Sequence, residues 1–112
     1  MQVMTRSSPF GSRPRTLVLL SLELLGDSYP RELARLLDSP LSGIQRALST
    51  LERDGLVAGR AVGKTRLYRI NPTYPAASEL RKLLRRLVDS DDRLQSSVAA
   101  LRRRPRRSGK PI

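Results

Sequence analysis

Ser42-Gly43-Ile44-Gln45-Arg46-Ala47-Leu48-Ser49-Thr50-Leu51-Glu52-Arg53-Asp54-Gly55-Leu56-Val57 is the stretch that decides the fold. Ile44, Ala47, Leu48 and Leu51 recur at the three-and-four spacing of an α-helix, with Leu41 at its start. The opposite face carries Ser42, Gln45, Arg46, Ser49 and Arg53. Gly55 closes the helix, because the position after a helix commonly takes a left-handed conformation that glycine adopts without strain. The spacing predicts a helix from about Pro40 to Asp54. Beyond it the pattern changes. Leu56–Arg60 and Thr65–Ile70 are short strand candidates, and Ala61-Val62-Gly63-Lys64 between them contains a turn glycine, which makes a hairpin. Asn71-Pro72 ends the second strand.

Upstream, Asp38-Ser39-Pro40 is a turn signal. It follows a short helix whose buried stripe is Leu33, Leu36 and Leu37, with Ser28 as its expected N-cap and Pro30 in its first turn. Before that, Leu17, Leu20 and Leu24 form one helical stripe, Val18, Leu22 and Leu25 a second, and Leu19 adds more. A helix apolar on most sides is buried on most sides, here by the fold and by a partner. Ser12 is its expected cap, Pro14 sits in its first turn, and Gly26-Asp27 stops it. Residues 1–12 read as a flexible arm.

Downstream, a long helix is expected over residues 76–101. Leu80, Leu84, Leu87, Asp91, Leu94, Val98 and Leu101 alternate steps of four and three, the spacing of a coiled-coil dimer seam, with Asp91 its one polar position. The alternative is a break at Ser90-Asp91-Asp92, where an acidic residue caps a second short helix. Residues 102–112 read as a basic, disordered tail.

The whole is one domain: a region of three helices and a hairpin over 13–75, then the C-terminal helix. The fold class is mainly α with a small β-hairpin. Net charge over the 112 residues is +12. Residues 13–55 are balanced. The excess sits in 56–75, where Arg60, Lys64, Arg66 and Arg69 meet no acid, and in the tail. A protein this basic usually meets a polyanion. There is no Cys and no His. Disulfides, the usual zinc sites, a cysteine nucleophile and any Ser–His pair are thereby excluded, so no metal and no cofactor is expected. The longest apolar stretch, Leu17–Leu25, is interrupted by Ser21 and Glu23 and is too short to span a bilayer. No nucleophile–base pair or phosphate loop is visible, so an enzyme is the least favoured class.

Three helices followed by a basic hairpin are the parts of a winged helix-turn-helix. The third helix suits the major groove of double-stranded DNA: Gln45 matches an adenine edge, Arg46 a guanine edge, and Ser42 and Ser49 are short enough to reach bases or phosphates. Arg53 lies on the same face. Arg60, Lys64 and Arg66 near the hairpin tip suit flanking phosphates or the minor groove. Tyr29 and Arg31 flank the start of the second helix, whose free N–H groups suit a phosphate.

Tyr29-Pro30-Arg31-Glu32-Leu33-Ala34-Arg35-Leu36-Leu37 resembles the second helix of ArsR-like and MarR-like winged-helix regulators. Residues 42–57 resemble their recognition helix and its exit into the wing, and Gly63–Pro72 resembles the second wing strand. The resemblance covers roughly residues 10–75. It implies a homodimeric transcription regulator on a pseudo-palindromic operator, with DNA contacts at Ser42, Gln45, Arg46 and Ser49 and at the wing residues Lys64, Thr65 and Arg66. In this architecture the start of the first helix, here Arg13 and Arg15, commonly touches phosphates. The metal-sensing chemistry of ArsR proteins is not transferred, since its Cys and His ligands are missing. The expected localisation is cytoplasmic, on the nucleoid, and the expected action is repression. Two rivals stand beside this: a DNA-coating architectural protein with little sequence preference, and a winged-helix protein–protein adaptor.

Overall fold

A computed structural model describes residues 9–103. The chain runs α1 (Arg13–Leu25), β1 (Asp27–Ser28), α2 (Pro30–Leu37), α3 (Leu41–Arg53), β2 (Val57–Val62), β3 (Thr65–Ile70), α4 (Ala77–Asp89) and α5 (Asp92–Arg103). The three strands form one antiparallel sheet in the order β1-β3-β2.

α1 is the axis of the domain. Every residue from Thr16 to Glu23 is buried, and α3, α4, α5 and β3 all pack on it. Its buried hydroxyls are satisfied locally. The Thr16 hydroxyl donates to the Ser12 carbonyl and the Ser21 hydroxyl to the Leu17 carbonyl. Ser12 caps the helix by accepting from the Arg15 amide, as its position predicts, and Gly26 leaves it at φ 88°. The arm closes down earlier than expected. Phe10 already packs on the core, so of residues 1–12 only 1–8 lie outside the described chain.

Ser28 is not the cap of α2. It belongs to β1, paired opposite Tyr68, and its hydroxyl donates to Glu32 at 2.7 Å. The N-cap position falls to Tyr29, with no side-chain bond. A two-residue strand leaves almost no periodic signal, and its pairing with β3 is a long-range event that local pattern does not announce. α2 ends at Asp38, which stands in the left-handed region at φ 51° and sets the turn into α3.

The hairpin turn is tighter than expected. β2 extends through Val62, which pairs with Thr65, so the loop is Gly63-Lys64 alone, with Gly63 at φ 61° supplying the positive angle that two-residue hairpins require. The four-residue reading of the loop failed because Ala61 and Val62 carry no turn chemistry of their own.

The C-terminal region is two helices, not one. The chain breaks at Ser90-Asp91, where buried Asp91 accepts from the Leu94 amide at 3.0 Å and so caps α5. The Gln95 amide reaches back to the Val88 carbonyl across the break. The heptad pattern therefore does not build a continuous seam. Leu80, Leu84, Leu94 and Val98 are buried in the chain's own core, because folding α5 back buries them without a second chain. Leu87 and Leu101 are only partly buried. α5 also takes in Arg102 and Arg103, which the tail was expected to hold, and residues 104–112 of that tail lie outside the described chain.

Because Leu94 is fully buried inside one chain, Leu94→Ala should cost about 2–5 kcal/mol. The drop in melting temperature relative to the parent protein should be the same at low and high protein concentration. A concentration-dependent loss in thermal denaturation would restore Leu94 to an intersubunit seam.

Candidate nucleic-acid interface

α3 divides its residues cleanly. Ile44, Ala47, Leu48 and Leu51 are buried, while Ser42, Gln45, Arg46, Ser49 and Arg53 are all exposed. The five polar positions share one face, since they recur at i, i+3, i+4, i+7 and i+11. Gly43 flanks the first turn of that face and leaves it open: among the described residues no neighbouring side chain lies within 4 Å of where its Cβ would stand. A glycine inside a helix costs about 0.5–1 kcal/mol relative to alanine, and nothing within the chain requires it here.

The end of α3 is clamped to α1 by one side chain. The Arg15 Nε donates to the Phe10 carbonyl at 2.7 Å, one terminal nitrogen donates to the Thr50 hydroxyl at 2.9 Å, and the other pairs with Asp54 at 3.0 Å. Only 19% of the Arg15 side chain is exposed. This corrects the expectation that Arg15 is a phosphate ligand: its fork is committed to the protein, and it holds the end of α3. The hydrogen bond from Arg15 holds the Asp54 carboxyl below its ordinary value, with the charges of Arg15 and Arg53 adding to the effect against some desolvation. Arg53 makes a long pair with Asp54, 3.5 Å, and stays 73% exposed.

The wing is tied to α3 by a second pair. Arg66 meets Glu52 at 2.8 Å, and its guanidinium lies over the Tyr68 ring, 5.6 Å from the centroid. This arrangement depends on Gly59, which pairs with Tyr68 across the strands. A Cβ at Gly59 would lie 2.8 Å from both the Arg66 guanidinium and the Tyr68 ring. Arg66 thus sits on the hairpin face turned to α3. Alternation along the strands puts Arg60 on the other face, beside Leu67, together with Arg69. The four wing cations do not form one patch. Lys64 and Thr65 are exposed at the tip.

Of the remaining candidates, Arg13 and Arg31 are exposed at the starts of α1 and α2, and Tyr29 is half-buried. The sequence reading missed the roles of Glu52 and Asp54 as partners of Arg66 and Arg15. Glu52 and Asp54 are the only acids between residues 39 and 78, and an isolated acid in a basic stretch is a signal for an internal ion pair. Among the described residues no group of three or more metal-ligating side chains occurs, and no helix is long and apolar enough to cross a membrane.

No family model and no curated protein sequence matches the chain. Solved structures do. HlyU from Vibrio cholerae, in its reduced form, is 30% identical over 68% of this chain and 77% of its own, with a TM-score of 0.57. YusO from Bacillus subtilis is 17% identical over 81% of this chain and 72% of its own, TM-score 0.56. A cysteine-to-serine mutant of ZitR from Lactococcus lactis is 14% identical over 89% and 78%, TM-score 0.55. The last two show the fold. The HlyU match shows the family: the chain belongs to the winged-helix transcriptional regulators of the ArsR/MarR type, which are not enzymes.

The Arg15–Asp54 clamp has a pH signature. Asp54 ionises below its ordinary value of 3.8 in the folded chain, so the clamp's contribution is complete above that value and is lost as the pH falls through the lowered one. Asp54→Asn should melt below the parent protein at neutral pH, and the gap should close in acid. A gap that is constant from pH 7 down to pH 2 in thermal melts would show that the pair contributes nothing.

Proposed function

We propose that this protein is a sequence-specific repressor that binds double-stranded DNA as a homodimer. α3 lies in the major groove, and the tip of the wing reaches the flanking backbone or minor groove. The observation that carries this is the face of α3: five polar side chains, all exposed, on a helix whose other face and C-terminal end are fixed to α1. Rigid support under short polar and forked side chains is what base readout requires. Gly43 fits the same reading, since a bare first turn lets the helix approach the groove closely. Ser42, Gln45, Arg46 and Ser49 are assigned to bases or adjacent phosphates, and Arg53, Lys64, Thr65, Arg60, Arg13, Arg31 and Tyr29 to the backbone. Arg66 serves by bracing the wing, with its outer edge open to phosphate. The site of action is the cytoplasm, on the nucleoid. The net charge of +12 supports a rival, a DNA-coating protein with little sequence preference.

In vitro selection from random duplexes separates the two. An enriched inverted repeat supports the repressor, and retention without enrichment supports the rival. On the selected site Gln45→Ala should cost about 1–3 kcal/mol and little on random DNA, whereas Lys64→Ala should weaken both about equally. Identical behaviour of the two variants would overturn the assignment of α3.

The dimer contact is assigned to the apolar surface that the fold leaves over: Leu83 on α4, 46% exposed, with Leu87 one turn on. Leu87→Asp should shift the sedimentation mass toward a monomer, and an unchanged mass would remove α4 from the interface.

A further inference from the structure

α4 carries a second concentration of positive charge. Arg81, Lys82, Arg85 and Arg86 occupy four of six successive positions, all exposed, along a groove of about 690 Å³. Like charges one turn apart weaken a helix, so this placement is unfavourable unless something offsets it. Inside the chain the main offset is Glu23 of α1, whose side chain is only 3% exposed. One of its oxygens accepts from Arg81 Nε at 3.0 Å and the other from Arg85 at 3.0 Å.

A buried carboxylate needs compensation, but one guanidinium would neutralise it. Two leave a net positive charge at the mouth of the groove. Each arginine also keeps donors beyond the one it gives to Glu23, and each stays more than half exposed. The carboxylate thus holds two forks in place with donors to spare. Lys82 and Arg86 stand beside them and make no ion pair with any described residue. The groove begins at Ala77 and Ser78, the first turn of the helix, whose dipole adds to the positive potential. Asp89 at the far end is the one opposing charge that lines it besides Glu23.

From this geometry we infer that the α4 groove is a second DNA contact, one that holds the sugar–phosphate backbone outside the segment read by α3. Paired guanidinium forks match phosphate oxygens. From Ser78 to Asp89 the groove extends about 16 Å at the rise of an α-helix, and it is open along its length. An extended, multiply charged strand fits it, whereas a compact ligand needs enclosure on most sides. α3 and α4 each pack on α1 with no comparable packing on one another, so the two contacts are separate surfaces. The DNA on α4 is therefore flanking duplex or a second duplex. No base specificity is expected there.

The inference rests on the DNA-binding reading above, and its test keeps the two apart. The salt dependence of binding to a long duplex carrying the selected site is measured for the parent protein, Lys82→Ala/Arg86→Ala and Gln45→Ala. Each phosphate contact contributes about 0.9 to the slope of log K against log salt. The double variant should therefore lose about 1.8 from the slope and keep its sequence preference. Gln45→Ala should lose preference and keep the slope. An unchanged slope in the double variant overturns the α4 site and leaves the α3 reading standing. A reduced slope with no effect of Gln45→Ala does the reverse. No retention of duplex by the parent protein at any salt overturns both. If the slope is unchanged and polyglutamate is held by the parent but not by the double variant, the groove belongs to an acidic protein segment and the inference falls.

Discussion

The burial of α1 on every side is the constraint from which the rest follows. An eight-residue run from Thr16 to Glu23 without one exposed position has to be wrapped, and a chain this short must use nearly all its elements to do it. α3, β3, α4 and α5 are each placed by what they cover. α3 is held in place because its inner face is part of this wrapping. The C-terminal helices are two rather than one for the same reason: a straight helix would lead Leu94 and Val98 away from α1, whereas a cap at Asp91 turns them back onto it. The apolar surplus of α1, which on sequence grounds calls for a partner chain, is absorbed by the chain's own C-terminus.

Charge is used twice over in this protein, and the two uses are easily confused. Arg15 and Arg66 look like surface cations in a basic protein, yet one clamps α3 to α1 and the other links the wing to α3 through Glu52. Arg81 and Arg85 serve a buried acid and still project donors outward. Arg46, Lys64, Lys82 and Arg86, by contrast, make no ion pair with any described residue. A count of basic residues therefore overstates the phosphate contacts the domain can make.

The fold was legible in the sequence where one element determines its own period. The four core positions of α3, the stripe of α2, the glycine after α3 and the cap at Ser12 are local signals, and each stands where the pattern places it. What was illegible depended on partners distant in the chain. β1 exists because β3 offers it an edge. The 4-3 spacing from Leu80 to Leu101 is compatible with a seam and with a fold-back, and only the packing on α1 decides. The exposed face of α3 was readable because burial of its other face fixes it. The commitment of Arg15 was not, since its partners lie five, thirty-five and thirty-nine positions away in the chain at Phe10, Thr50 and Asp54.

Gly59 has a bearing on how this wing is held. It contributes no side chain, so a survey that deletes side chains one by one would pass over it. Yet the Arg66 guanidinium and the Tyr68 ring lie 2.8 Å from where its Cβ would be. Adding one methyl group there forces the guanidinium or the ring to shift and so disturbs the hold of the wing on Glu52. Positions 52, 59, 66 and 68 thereby form one network of contacts. The link between wing and α3 therefore rests as much on a residue without a side chain as on the Arg66–Glu52 pair itself.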